Sequence, residues 1–231
     1  RSRQVTGVQT CALPISYLGN EVPFYLCRMT RKIWLAGQVV YIVCATAIYT
    51  VAILLSTILI CGQRCYVGNI WSETAVKLAF TSAGKKLSLA ASEKTLELTR
   101  PYACMTTMFF LLFAYALVMV LLIFWFRILW NELAGMIAGV VFNGISFIFS
   151  PGILQKLLGI SERKSYLANV AAGWISPLSH ATYHLHNFGY DRLPSLRDSG
   201  IYDMVLVIML ILLNLYSIRT YHFVFDGTGE R

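Results

Sequence analysis

Three histidines in one short stretch have the spacing that comes closest to a chemical site. His180, His184 and His186 form the pattern H-x3-H-x-H after Pro177. On a helix the first two would share one face, as a pair of zinc ligands must, and His186 would add a third imidazole nitrogen. No glutamate or cysteine stands at a matching spacing, however, and imidazoles among aromatic residues also suit a membrane interface. We therefore predict no cofactor and no metal site, and intramembrane metal binding by the three histidines is the alternative.

A stripe of small and amide side chains is the second candidate. Gly135 and Gly139 are four residues apart, and Asn143 follows at the same interval, so that all three share one helical face. Glycines at this spacing let a neighbouring backbone approach closely, and an amide can hydrogen-bond across the contact. Two interpretations fit this stripe, and also Asn214 further along the chain: helix packing, or the polar lining of a substrate path.

The sequence lacks the signatures of common hydrolytic and ATP-dependent enzymes. Gly84-Lys85-Lys86 does not have the spacing of a phosphate-binding loop, and neither G-x-S-x-G nor H-E-x-x-H occurs. We therefore predict no catalytic residues. Any ATP hydrolysis that drives this protein is expected in a separate subunit.

The composition indicates the class of protein that carries these candidate residues. Of 231 residues, 57% are apolar and 13% are charged, and the mean hydropathy is +0.63. Soluble domains carry about 25% charged residues, so the composition excludes intrinsic disorder and disfavours a soluble enzyme. The formal charge of +8 comes from basic residues between long uncharged stretches. This arrangement favours contact with anionic lipid headgroups over nucleic acid.

Four apolar stretches are long enough to predict membrane-spanning helices. A hydrocarbon core of about 30 Å needs about 20 helical residues. The stretches cover residues 36–61, 102–126, 133–149 and 201–218. Residues 153–180 are also apolar, but Pro177 and several polar residues interrupt them, so we predict a re-entrant or interfacial helical hairpin there. The predicted fold class is an all-α integral membrane protein.

The first 16 residues are excluded from this fold. Val5 to Ser16 reads VTGVQTCALPIS, which matches the translation of a sequencing-library adapter, and such scars are set aside before a fold is considered. Residues 1–16 are therefore assigned to no domain, and residues 17–231 are expected to form one transmembrane domain. We expect this domain to be the C-terminal part of a longer protein.

Two segments of the chain resemble a family of bacterial transport proteins. The segment FYLCRMTRKIWLAGQ, from Phe24 to Gln38, leads directly into the first apolar stretch. The later segment Asn69-Ile70-Trp71 is followed by LAFTSAG at residues 78–84 and by Tyr102 at the next apolar stretch. These segments are similar to the cytoplasmic approach to a middle helix, and to a connecting loop, in ABC-2-type exporter permeases. The resemblance extends over nearly all of residues 17–231.

The resemblance implies the membrane subunit of an ATP-driven exporter in the bacterial plasma membrane. Six helices are usual in that family, so the four spans here would be its third to sixth, with its outer re-entrant hairpin between the last two. The implied partners are an ABC ATPase subunit and a second permease subunit, identical or different. A non-transporting membrane scaffold or immunity protein is the alternative of another class.

The resemblance also assigns a role to four residues near the start of the first span. Arg28, Arg31, Lys32 and Trp34 would lie in the cytoplasm, near the surface that couples the permease to its ATPase. A second interpretation explains the same four residues as anchors, because basic residues and tryptophan are enriched at the ends of membrane helices.

The distribution of basic residues conflicts with this orientation. The side that holds the N-terminal flank, the turn after Phe126 and the C-terminal tail carries six Lys and Arg residues, whereas the loops on the other side carry eleven. The positive-inside rule would place the more basic loops in the cytoplasm, although that rule weakens for long connections. The sequence therefore predicts the spans but leaves two orientations open.

Overall fold

The computed structural model describes residues 29–62, 68–81, 93–149, 151–157, 159, 165–189 and 192–220. Within these ranges all the regular structure is helical. The α-helices are α1 (Arg31–Cys61), α2 (Glu73–Phe80), α3 (Glu93–Leu98), α4 (Pro101–Leu129), α5 (Glu132–Ile148), α6 (Pro151–Leu157), α7 (Ser165–Ile175), α8 (Pro177–Ala181) and α9 (Leu196–Thr220). A short 3-10 helix, Tyr183–Leu185, follows α8.

The predicted all-α membrane fold is confirmed. Helices α1, α4 and α9 are 31, 29 and 25 residues long, and each is apolar enough to cross a membrane. The predicted span 133–149 forms the shorter apolar helix α5, which has 17 residues and a length of about 25 Å at 1.5 Å per residue. The described chain thus contains three helices of full spanning length and one shorter apolar helix whose bounds agree with the predicted ones within one residue.

Local sequence explains several of the helix ends. The hydroxyl of Thr30 accepts a hydrogen bond from the backbone N–H of Ile33 (3.4 Å), so α1 begins five residues before the predicted boundary. Gly62 follows α1 with φ of +49°, a conformation that glycine adopts without a steric penalty. Helix α8 begins at Pro177, where the missing proline N–H leaves no helical hydrogen bond unmade.

The described part of the region predicted as a helical hairpin is mainly helical. Helices α6 and α7 pack against each other, and α8 follows α7 after a break at Ser176. The break comes directly before Pro177, because a residue preceding proline disfavours the helical backbone conformation. With 7, 11 and 5 residues, these three helices are each too short to cross a bilayer core alone.

The chain divides into two compact units, each with its own core. The first consists of the chain up to Tyr49, Leu117–Val140 and the chain from Leu206 onward. Its core includes Trp34 and Phe124, whose ring centroids are 6.5 Å apart. The second consists of Thr50–Ala116 and Val141–Val205, with a core cluster at Cys104, Leu111 and Tyr183.

Candidate functional site

Within the first unit, the start of α1 is joined to the end of α9. The guanidinium Nη1 of Arg31 donates to the backbone carbonyl oxygens of Arg219 (3.0 Å) and Ile218 (3.4 Å). The last carbonyls of a helix lack intrahelical partners and carry partial negative charge, so a cation there satisfies and stabilises them. The contact also places the start of α1 and the end of α9 at the same end of the unit.

The four residues assigned to an ATPase-coupling surface occupy different environments. Arg31 bonds to α9 as described, and Trp34 is buried at 5% exposure against Phe124. Lys32 is exposed. Arg28 lies outside the described residues. Arg31 and Lys32 are therefore both exposed, and Arg31 and Trp34 also make contacts that hold the unit together.

The two glycines of the small-residue stripe allow α5 to approach α4 closely. A Cβ atom on Gly135 would lie 2.8 Å from the backbone oxygen of Ile123, and a Cβ on Gly139 would lie 3.0 Å from the Cδ1 atom of the same isoleucine. The close contact of both glycines with Ile123 therefore supports the interpretation that they serve helix packing. A backbone oxygen cannot move aside as a side chain can, so Gly135 is the more constrained of the two.

The two asparagines singled out from the sequence both take part in polar contacts between helices. In the second unit, the hydroxyl of Tyr115 on α4 donates to Oδ1 of Asn143 on α5 (2.6 Å). In the first unit, Nδ2 of the fully buried Asn214 donates to the carbonyl oxygens of Leu210 (2.8 Å) and Leu121 (3.4 Å). The Oδ1 atom of Asn214 has no partner among the described residues.

An apolar cavity lies within the second unit. It has a volume of about 400 Å³ and is lined mainly by the second half of α1 and the first half of α4. Its wall includes Thr50 and Thr57 of α1, Cys104 and Met108 of α4, and the indole of Trp71. The Nε1 atom of Trp71 donates to the carbonyl oxygen of Thr99 (2.8 Å), which fixes the orientation of that ring. The cavity can hold an apolar group of moderate size.

Two of the three predicted histidines meet in a buried cluster around Ser199. Nδ1 of His180 and Nε2 of His186 each lie 2.8 Å from the Ser199 hydroxyl oxygen. The other ring nitrogens face backbone carbonyls: Nε2 of His180 is 3.1 Å from the oxygen of Trp174, and Nδ1 of His186 is 3.0 Å from that of Thr182. All three side chains are at most 1% exposed.

The first turn of α9 holds Ser199 in place. The hydroxyl of Ser195 accepts a hydrogen bond from the backbone N–H of Asp198 (3.2 Å), and an Asp198 carboxylate oxygen accepts from the N–H of Ser195 (3.0 Å). This reciprocal pair is a capping box, which fixes the start of a helix. The aromatic ring of Tyr202 stacks on His180 with a centroid distance of 4.1 Å.

His184, the third predicted histidine, lies outside this hydrogen-bond network and is partly exposed. Burial lowers the pKa of His184 below its usual value of about 6.5, and the neighbouring His186 lowers it further. Burial likewise lowers the pKa of His180 and of His186, because a buried imidazolium loses hydration. In the part of the chain that the structure describes, no group of three or more His, Cys, Asp or Glu side chains is placed to hold a metal ion.

Sequence reasoning did not single out Ser199, although it is the centre of the cluster. A lone serine in the first turn of a helix is usually a local backbone partner, and nothing in the spacing connects it to histidines 19 and 13 residues away. Asp203 stands out in the sequence only as the one charged residue within the predicted span 201–218. It is 5% exposed, and its Oδ2 atom has no partner among the described residues. The i, i+4 spacing of Ser199 and Asp203 at the start of a largely apolar helix is the signal in the sequence that points to this part of α9.

Comparison of the chain with protein-family models, with curated proteins and with solved structures gives no match.

Proposed function

We propose that this chain is the membrane-spanning permease subunit of an ATP-driven exporter in the bacterial plasma membrane. It would form the translocation path and couple to a separate ATPase subunit, with a second permease subunit completing the path. The observation that carries the proposal is the apolar cavity between α1 and α4, because both helices are long and apolar enough to span a membrane. The resemblance of residues 24–38 and 69–84 to ABC-2-type permeases supports the same function.

The chemistry of the cavity suggests the class of cargo. Apart from two threonine hydroxyls and the indole N–H of Trp71, which is already bonded, its wall is hydrocarbon, aromatic and sulfur surface. Such a wall excludes free ions, which would lose their hydration without replacement partners. It would accommodate the apolar part of an amphipathic molecule, for example a lipid chain or a hydrophobic drug.

The proposed mechanism needs no catalytic group in this chain. ATP binding would bring together two partner ATPase domains, and their movement would shift the cytoplasmic end of the permease. Packed helices that have two discrete arrangements can convert such a movement into alternating access to a central path. Lys32, exposed at the start of α1, would be available to pair with acidic residues of the ATPase. Arg31 would transmit the shift to α9 through its hydrogen bonds.

Co-purification and transport test the proposal together. The complete gene is expressed with its genomic neighbours, and the purified membrane protein is assayed for a nucleotide-binding subunit and, in proteoliposomes, for ATP-dependent movement of a fluorescent lipid. We expect both. The absence of both a co-purifying ATPase and ATP-driven flux would contradict the exporter function. Binding to another membrane protein would then favour a scaffold or immunity protein.

A pair of tryptophan variants tests the cavity itself. Met108→Trp would place an indole in the cavity, whereas Phe110→Trp changes an exposed ring of α4 that does not line it. We expect the first variant to reduce ATP-driven flux at least about tenfold, and the second to leave it near the wild-type value. Equal flux in both variants would contradict the assignment of this cavity to the path.

A further inference from the structure

The buried cluster of His180, Ser199 and His186 has an unusual balance of hydrogen-bond donors and acceptors. A backbone carbonyl only accepts hydrogen bonds, so Nε2 of His180 must carry a proton toward Trp174, and Nδ1 of His186 must carry one toward Thr182. In neutral rings this leaves a lone pair on Nδ1 of His180 and another on Nε2 of His186. Both lone pairs then point at the same hydroxyl oxygen, each at 2.8 Å.

One serine proton cannot satisfy both nitrogens. The Ser199 hydroxyl has a single hydrogen, so in the neutral cluster one of the two short N···O contacts would join two lone pairs. A distance of 2.8 Å is typical of a hydrogen bond rather than of such a repulsive contact. One additional proton removes the conflict, because the protonated imidazole donates to Ser199 and Ser199 donates to the other imidazole.

We propose that His180, Ser199 and His186 form a binding site for one proton, which the two imidazoles share through the serine hydroxyl. In one form the extra proton is on Nε2 of His186, and the Ser199 O–H donates to Nδ1 of His180. When the Nε2 proton passes to the serine oxygen, the original serine proton passes to Nδ1. The charge thereby moves from His186 to His180 with no net gain or loss of protons.

The site takes one proton and not two. A second proton would place two imidazolium ions on one buried oxygen, where their repulsion is poorly screened. Burial determines how acidic the medium must be before the proton binds, whereas the geometry determines how many protons bind. Bound, the proton fastens the segment that carries both histidines to the first turn of α9. The inference is independent of the proposed transport function.

The other titratable groups near the site lie on α9 and in the segment that carries the histidines. Asp203 follows Ser199 by four residues, so its carboxylate leaves α9 on the same face, about 6 Å further along the helix axis. One oxygen of this buried carboxylate has no partner among the described residues. Tyr202 stacks on His180, and Asp198 is bonded to Ser195. His184 is the remaining described histidine near the cluster.

Proton counting by NMR tests the site. The full chain, labelled with ¹⁵N-histidine and held in lipid nanodiscs, is titrated while the ring nitrogens report the protonation of each histidine. We expect the resonances of His180 and His186 to move with one common midpoint, each only part of the way to the imidazolium position, for a total uptake of one proton. Independent midpoints with two protons bound, or two neutral rings throughout the range in which the protein stays folded, would overturn the proposal.

Variants distinguish a proton shared by the two imidazoles from two buried histidines that titrate independently. Ser199→Ala removes the bridge and should give two separate midpoints, whereas Ser199→Thr keeps a hydroxyl and should keep the common one. His184→Gln, outside the hydrogen-bond network, should keep one common midpoint for His180 and His186 and the uptake of one proton. Because the wild-type titration is decisive alone, a variant that fails to fold does not weaken the test.

Discussion

The guanidinium of Arg31 donates to the backbone carbonyl oxygen of Arg219 at 3.0 Å, although 188 positions separate the two residues in the chain. The first described helix and the last are therefore connected at one end. This contact gives a physical reason for a basic residue at the start of α1 that does not require a partner protein, and it can be separated experimentally from the coupling role proposed for Lys32.

Loss of the Arg31 contact should lower stability. Arg31→Gln removes the positive charge from the end of α9. We expect the free energy of unfolding to fall by about 1 kcal/mol, less than the roughly 1.5–3 kcal/mol of a buried charged hydrogen bond, because the contact is partly exposed. Thermal unfolding in detergent measures the change. Lys32→Gln is the matched control, since Lys32 is exposed, and it should unfold at the wild-type temperature. A larger loss in the control would contradict the helix-end role.

The glycines of α5 should differ in their tolerance of a methyl group. Gly135→Ala would drive Cβ into the Ile123 backbone oxygen and should cost about 1–3 kcal/mol of stability. Gly139→Ala meets a flexible side-chain end and should cost less. A Cβ on Gly144 would have no neighbouring atom within 4 Å, so Gly144→Ala should be neutral or stabilising by about 0.5–1 kcal/mol through helix propensity. A reversed order in unfolding measurements would rule out close packing at Gly135.

The Tyr115–Asn143 hydrogen bond should contribute measurably to the second unit. Tyr115→Phe removes the hydroxyl that donates to Asn143 and should destabilise the protein by about 1 kcal/mol. Tyr216 is 69% exposed, so Tyr216→Phe serves as the control with the same chemical change. Equal stability of the two variants would show that the contact contributes nothing.

Acid should destabilise the protein partly through His184. Burial, followed by the effect of His186, lowers the pKa of His184 in the folded state, so the unfolded chain binds a proton at a pH where the folded chain does not. This contribution to stability is complete above about pH 6.5 and is lost as the pH falls below it. His184→Gln should therefore lose less stability than wild type between neutral and acidic pH.

A pH series of thermal unfolding measures this difference. Leu185→Ala, a change at a neighbouring exposed residue with no titratable group, should keep the wild-type pH dependence. If His184→Gln keeps it as well, the lowered pKa of His184 has no effect on folding.

The length of the apolar stretches was sufficient to predict the long apolar helices, because the backbone in lipid can satisfy its hydrogen bonds in few structures other than a helix. The end of α5 at Ile148 also agrees with the predicted end at residue 149, because Pro151 follows closely and disfavours a continued helix. The histidine cluster was harder to predict from the sequence. Spacing suggested a helical His180–His184 pair, but the helix ends at Ala181 after its Pro177 start, so the histidine that joins His180 is His186. The partner Ser199 comes from another helix, and such long-range contacts leave no local pattern.

Side-specific labelling of single cysteines tests the membrane architecture on which the proposed transport function depends. Helix α1 is about 46 Å long at 1.5 Å per residue, more than a bilayer core. In a chain whose native cysteines are replaced, we expect Lys32→Cys and Thr220→Cys to react with an impermeant maleimide from the same side of sealed vesicles, and Ile70→Cys to react from the opposite side. Reaction of Lys32→Cys and Ile70→Cys from one side would contradict the account, because α1 would then not cross the membrane.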